Sequence, residues 1–292
     1  MSALLDNNSV IEYNNHKRRL RGDAMAYKYV LTEYTLKKEG ITSPLRLVLL
    51  ADIHERPDDR IAELTRRAKP DLIALAGDII ERRDLPGQDD GEEKKPPLLK
   101  RIFYGVSYHL LCALSQSDRH NAPEKTFELL QELAKIAPVY FCRGNHEPEL
   151  FPEDYEFFGQ NGITLLDNSD VTVKAGGSLI NIGGLARDED TEWLRRFSQK
   201  KGFKLLLCHY PKDYDLYVKP LDIDLMLAGH NHGGQLRLFG KGVASSGDGL
   251  FPKYDKGVFD DRLVVTAGLS NTVAIPRLFN PREVVLIHLI PK

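Results

Sequence analysis

Apolar positions in this chain gather in short unbroken runs: LRLVLLADIH (45–54), DLIALAGDII (71–80), APVYFCRGNHE (137–147), FKLLLCHY (203–210) and DIDLMLAGHNHGG (222–234). Runs of this kind, without strict alternation, predict strands covered on both faces. Between the first of them the period becomes helical, in PDDRIAELTRRAK (57–69) and in APEKTFELLQELAKI (122–136), the latter with Pro123 in its first turn. Strand and helix in alternation imply right-handed crossovers and a partly parallel sheet, an α/β class.

The second half reads differently. VTVKAGGSLINIGG (171–184) predicts a hairpin turning at Gly176 and Gly177, while QLRLFG (235–240), RLVVTAGL (262–269) and REVVLIHLI (282–290) are strands without long helices between them. A second, mostly antiparallel sheet is expected from them. DLPGQDDGEEKKPP (84–97) is a polar loop, and the apolar segment Leu98–Leu114 begins after Pro96–Pro97 as a helix does. That segment is either core or a lid or membrane-surface helix, with a peripheral membrane contact over about 97–115 that would receive an apolar part of a ligand. The expected organisation is a polar extension over 1–26 and one domain over 27–292, with a helical insertion at about 84–122.

Composition narrows the partners. With 40 basic and 42 acidic residues the formal charge is −2, so no global field draws the chain to nucleic acid or anionic membrane, and no stable nucleic-acid complex is expected. Cys112, Cys142 and Cys208 lie in apolar stretches and are too few for a disulfide framework. No apolar segment follows the basic HKRRLRG (16–22), which reads as a solvated tail, and Leu98–Leu114 is interrupted by Lys100, Arg101 and His109. A cytoplasmic location is expected.

Each of the five runs ends in groups able to bind metal or move a proton: Asp52 and His54, Asp78, Asn145 and His146, His209, then His230 and His232. Any one histidine alone would read as a hydrogen-bonded core residue, and Asp52 and Asp78 as helix N-caps. Strand carboxyl ends meet at one edge of an α/β sheet, however, so these groups would converge. In an extended chain residues i and i+2 face the same way, which makes Asp52 with His54, and His230 with His232, chelating pairs. Gly77, Gly144, Gly229, Gly233 and Gly234 flank them and permit close backbone approach.

Asp52, His54, Asp78, Asn145, His209, His230 and His232 are too many for one tetrahedral zinc, and two ions are implied. A thiolate-free set of carboxylate, amide and imidazole suits manganese, iron or zinc, with manganese foremost. Two divalent ions against two carboxylates leave a cationic site that attracts a phosphate ester, lipid-linked or nucleotide-linked forms included, and can supply hydroxide near neutral pH. His146, on the other face from Asn145, is placed to protonate a leaving oxygen. Glu147 and Arg143 beside it either touch substrate or pair with one another.

The order DIH, GD, GNHE, CHY and GHNH resembles the calcineurin-like metallophosphoesterases, over roughly residues 45 to 290. AGHNHGGQLRLFG and IPRLFNPREVVLIHL look like the bacterial branch that includes wall-associated phosphodiesterases and some UDP-2,3-diacylglucosamine diphosphatases. The resemblance implies a four-layer α/β/β/α sandwich with a dimetal site at one edge. It places Asp52, His54, Asp78 and His232 on one ion, Asp78, Asn145, His209 and His230 on the other, with Asp78 bridging and His146 catalytic. Many relatives carry threonine where this chain has Asn231. The function expected is hydrolysis of phosphodiester or pyrophosphate bonds by a metal-bridging hydroxide. A phosphomonoesterase, a protein phosphatase included, and a metal-stabilised scaffold without turnover are the alternatives.

Overall fold

The computed structural model describes residues 8–11, 29–82, 121–186, 190–245, 248–272 and 277–292. The first sheet takes β1 (Asn8–Ile11), β2 (Tyr29–Lys38), β3 (Leu45–Leu50), β4 (Leu72–Ala76), β5 (Val139–Cys142) and β6 (Ile163–Leu165). The second begins with the hairpin β7 (Ser169–Ala175) and β8 (Ser178–Leu185), turning at Gly176 and Gly177 as expected, and adds β9 (Phe203–Cys208) and β10 (Leu225–Ala228). Short ribbons follow: β11 (Arg237–Leu238) with β12 (Lys241–Gly242), and β13 (Ala244–Ser245) with β14 (Gly249–Leu250). Then β15 (Gly257–Phe259) and β16 (Leu263–Val265) complete the second sheet, and β17 (Arg282–Pro291) returns to the first. The strand orders are β1-β2-β17-β3-β4-β5-β6 and β15-β16-β10-β9-β8-β7.

Alternation along each buried strand builds the four layers. Leu47 and Leu49 of β3 join Leu205, Leu207, Leu225 and Leu227 in the core between the sheets. Their neighbours Val48 and Leu50 face the other way, against Ile61 and Leu64 of helix α1 (Asp59–Ala68) and Leu130 and Leu133 of α2 (Pro123–Ile136). Phe158 of α3 (Pro152–Gln160) joins the same outer core. On the far side Leu206 and Met226 pack on Trp193 and Phe197 of α4 (Thr191–Ser198). Each such side chain stabilises the fold by about 1.5 to 3 kcal/mol.

The second sheet corrects the expectation of mostly antiparallel pairing. β8 with β9, β9 with β10, and β10 with β16 are all parallel, and only the edge pairs β7–β8 and β15–β16 run antiparallel. The connections explain this: α4 lies between β8 and β9, and a single π-helical turn, Tyr214–Val218, lies between β9 and β10. Connections of that length carry the chain back to start a parallel strand. β17 belongs to the first sheet, parallel to β2 and antiparallel to β3. Its unbroken apolar run suits a central strand, with Val285 and Ile287 in the inner core and Val284 and Leu286 in the outer. Within the expected extension over 1–26, Asn8–Ile11 pairs antiparallel with β2. The expected insertion at 84–122 lies outside the described residues except for its last two positions.

Glu283, at the start of β17, is buried and accepts from Lys256 Nζ at 2.5 Å, Ala267 N at 2.7 Å and Thr32 Oγ1 at 2.8 Å. Burial pushes its pKa up, but the Lys256 ammonium and these donors prevail and hold the carboxyl below its ordinary 4.5. A depressed folded-state pKa gives stability that is fully present above the unfolded value and is lost as pH falls through the folded one. Glu283→Gln is therefore expected to flatten the acid limb of a plot of melting temperature against pH. An acid limb identical to that of the parent protein would show that this carboxylate does not carry it.

Candidate metal centre

The carboxyl ends of β3, β4 and β5 from one sheet and β9 and β10 from the other open onto the same place. The loops that leave them stay tied together. Asp52 N donates to Gly77 O at 3.0 Å, His54 N to Asp78 O at 2.9 Å, and Gly229 N to His209 O at 3.2 Å. Asp52, His54, Asp78, His230 and His232 all have positive φ, between 45° and 72°. A left-handed residue other than glycine costs about 1 kcal/mol or more, and such residues concentrate where function requires them. The strand-alternation argument for the pairs is thus corrected, because these residues lie beyond the strand ends in turns. His230 and His232 in consequence do not form one chelating pair but point into different donor groups.

All seven expected donors come together. Asp52, His54 and His232 form one group and Asp78, His209 and His230 a second. His54 Nε2 stands 4.0 Å from Asp52 Oδ1 and 3.6 Å from Asp78 Oδ2, and His232 Nε2 is 3.6 Å from Asp52 Oδ1. In the second group His209 Nε2 is 3.1 Å from Asp78 Oδ2, while Asn145 Oδ1 sits 3.1 Å from His209 Nε2 and 3.0 Å from His230 Nδ1. Asp78 Oδ2 therefore lies between the groups. Two ligands of one ion with bonds of about 2.1 Å stand roughly 3 to 3.5 Å apart, which is the spacing of the second group, at 3.0 to 3.1 Å, while the first is wider, at 3.6 to 4.0 Å.

Three features fit this set to divalent ions. His54 Nε2 is buried without a hydrogen-bond partner and faces both carboxylates. The outer nitrogens are held by acceptors, His209 Nδ1 by Ala76 O at 2.8 Å and His232 Nδ1 by Ser270 O at 3.4 Å, so each Nε2 keeps its lone pair toward the site. Third, the site calls for positive charge: burial opposes protonation of His209, yet Asp78 and Asp52 raise its pKa to about 9. A Cβ on Gly144 would lie 2.2 Å from Asp78 Oδ1, and one on Gly229 2.8 Å from Asp52 Oδ2, so both carboxylates need glycine beside them.

A family model of calcineurin-like phosphoesterases matches residues 45–234, from β3 through the His230 and His232 turn. The chain belongs to this family. It is 25% identical over 215 residues to YpbG of Bacillus subtilis, covering 71% of this chain and 68% of YpbG. Its identity to the phosphodiesterase YaeI of Escherichia coli is 26% over 274 residues, 85% of this chain and 83% of YaeI. The UDP-2,3-diacylglucosamine pyrophosphatase LpxG of Chlamydia muridarum is 25% identical over 290 residues, 86% of this chain and 85% of LpxG. The chain is thus a metal-binding phosphoesterase, and its family uses divalent metals.

Around the phosphoesterase donors lies a set of residues that the sequence did not single out. Glu81 accepts from His54 Nδ1 at 2.8 Å through one oxygen and from His146 Nδ1 at 2.6 Å through the other. Burial works against its ionisation, but these two rings bring its pKa down to about 2. Both histidines consequently turn Nε2 inward, and His146 Nε2 stands 3.8 Å from Asp78 Oδ2. The only hint in the sequence is a carboxylate three residues after Asp78. Glu81→Gln offers one ring an oxygen and turns an NH₂ against the N–H of the other. We expect kcat to fall about 10- to 100-fold, the usual range for groups that orient metal ligands, with near-normal melting; activity within twofold of the parent would remove Glu81 from this role.

Glu147 and Arg143 both hold backbone groups of the turns beside the donors. Glu147 is buried and accepts backbone N–H groups from Asp78, Ile79, Ile80 and Gly144 at 2.9, 2.5, 2.9 and 2.7 Å. Burial and Asp78 raise its pKa to about 7, against the pull of those amides. Arg143 holds the turn through the carbonyls of Glu147 and Pro148 and an ion pair with Asp167 at 2.6 Å. Asn231 also faces away from the donors: its amide bonds Asp248, the Tyr254 carbonyl and Ser245. Fully buried Arg277 donates to the carbonyls of Ala267, Ser270 and Asn280 and fixes the loop under Asp52 and His232. Asp58 and Asp190, rather than Asp52 or Asp78, cap helices, accepting from Arg60 N and Trp193 N. Cys142 and Cys208 are buried free thiols with pKa pushed up by burial, as packing residues are.

At the mouth, the Tyr210 ring packs edge-on against His209 and His230, with the Lys212 ammonium 5.1 Å above it. Lys212 is exposed and bears a positive charge beside the His230 side of the site. Among the described residues no helix is long and apolar enough to cross a membrane. Leu98–Leu114 lies outside them.

Proposed function

We propose that the chain is a dinuclear hydrolase of phosphodiester or pyrophosphate bonds, with manganese as its preferred metal. The observation that carries this reading is Asp78 Oδ2, set between the His54 and His209 Nε2 atoms at 3.6 and 3.1 Å. Asp52, His54, Asp78 and His232 would hold one ion, and Asp78, Asn145, His209 and His230 the other. When bound, such a pair acidifies water and stabilises both attacking and leaving oxygens of an in-line displacement. The chain's own residues do the rest. His146, steered by Glu81, presents Nε2 where it can hold a proton for the leaving oxygen. Lys212 at the mouth attracts the anionic ester. The names of YaeI and LpxG, a phosphodiesterase and a pyrophosphatase, support the diester or pyrophosphate reading over a monoester.

The test is hydrolysis of bis(p-nitrophenyl) phosphate against p-nitrophenyl phosphate by metal-stripped protein, with manganese, iron, zinc and magnesium restored singly. We expect turnover of the diester to exceed that of the monoester and to be highest with manganese. Preference for the monoester would replace this reading by a phosphomonoesterase, and tight metal binding without turnover by a scaffold.

A further inference from the structure

Away from the donors, three Leu–Phe dipeptides occupy turns: Leu238–Phe239, Leu250–Phe251 and Leu278–Phe279. Each phenylalanine has a left-handed backbone, with φ of 50°, 54° and 53°. Large side chains seldom adopt that conformation, so the turns hold these rings where they are. Phe239 is fully exposed, Phe251 is 71% and Phe279 59% exposed, and the adjoining leucines are exposed as well. Single exposed apolar residues are ordinary, but six on connected turns form the kind of patch that marks an interaction site.

The turns are connected through their backbones. Arg237 N donates to Leu278 O at 3.0 Å, Val243 N to Leu236 O at 2.8 Å, and Phe251 N to Val243 O at 2.9 Å. Asn280 then ties them to the metal centre, donating to His232 O at 2.7 Å and Gln235 O at 3.2 Å. We propose that these Leu–Phe turns dock the chain on an anionic lipid bilayer. Apolar pairs on separate projecting turns suit entry between headgroups. Charge complements this at Lys241, exposed two residues after Phe239, while Lys253, two residues after Phe251, is exposed but ion-paired with Asp215. Docking would bring the edge of the metal centre to the membrane, so the phosphoester cleaved would be a lipid headgroup or lipid-linked diphosphate. That last step rests on the proposed hydrolase function, whereas the docking does not.

The test is flotation of the full chain with vesicles of phosphatidylcholine alone and of phosphatidylcholine mixed equally with phosphatidylglycerol. The comparison variant is Phe239→Asn/Phe251→Asn/Phe279→Asn, since asparagine tolerates the left-handed turns. The parent protein is expected to float with the mixed vesicles and to be released by salt. The triple variant should lose at least about tenfold in partitioning, and Lys241→Glu should weaken binding only to the anionic vesicles. Far-ultraviolet circular dichroism and hydrolysis of the soluble diester, unchanged in the triple variant, show that it is folded. A parent protein that stays with the pellet, or a triple variant that floats equally well, overturns the proposal. A parent dimer in sedimentation velocity that the triple variant dissociates, without flotation of either, assigns the patch to a second copy instead. Absence of diester hydrolysis with every metal would defeat the hydrolase reading but leave the flotation result standing.

Discussion

Asp78→Asn is expected to abolish metal-dependent hydrolysis while the fold stays in place. One oxygen of Asp78 accepts the His146 backbone N–H at 2.8 Å, a bond that an asparagine oxygen keeps. The other oxygen, between His54 and His209, becomes an NH₂ that carries no charge and offers no lone pair to a cation. On the proposed assignment, both donor groups lose the ligand they would share. We expect kcat for bis(p-nitrophenyl) phosphate to fall at least about a thousandfold, as when preorganised charge stabilisation is removed from an active site. Metal content measured by mass spectrometry should fall below the two ions per chain that the proposed function requires of the parent. Thermal melting of stripped protein should move little. Activity within a few-fold of the parent would sink the bridging assignment.

What could be read from the sequence follows from burial. Runs such as LIALA and LMLA are apolar on both faces because each strand lies between two cores, so their positions are legible without knowledge of the fold. A polar residue at the end of such a run costs several kcal/mol unless it finds a partner, and this made Asp52, Asp78 and His209 conspicuous. Direction was another matter. Nothing in RLVVTAGL shows whether its strand runs with or against β10, since pairing depends on the length and path of the connection. The alternation argument holds within β3; past its end Asp52 and His54 share one donor group through left-handed turns and not through an extended strand, and His230 and His232 part into different groups. Partners were equally hidden: Glu81 and Glu147 are both carboxylates close to the motifs, yet one meets two imidazoles and the other four backbone amides.

Glu147→Ala is expected to damage stability and metal binding together. The carboxylate joins the turn after β4, through the amides of Asp78, Ile79 and Ile80, to the turn after β5, through that of Gly144. Alanine leaves these four N–H groups buried beside a cavity. An unsatisfied buried donor costs about 1 to 3 kcal/mol, so even with partial access of water the loss should reach about 4 kcal/mol. Glu147→Gln presents an NH₂ toward amides that also donate, and should lose about half as much. Urea unfolding of the three stripped proteins measures these differences. The metal stoichiometry should fall as well, because Asp78 and Asn145 sit on the turns that Glu147 joins. Asp78→Asn and Glu147→Ala thereby separate two roles that adjoining carboxylates fill: one alters chemistry at nearly constant stability, and the other alters both. An alanine variant as stable as the parent would mean that the turns after β4 and β5 are held together by other contacts, Arg143 with Asp167 first among them.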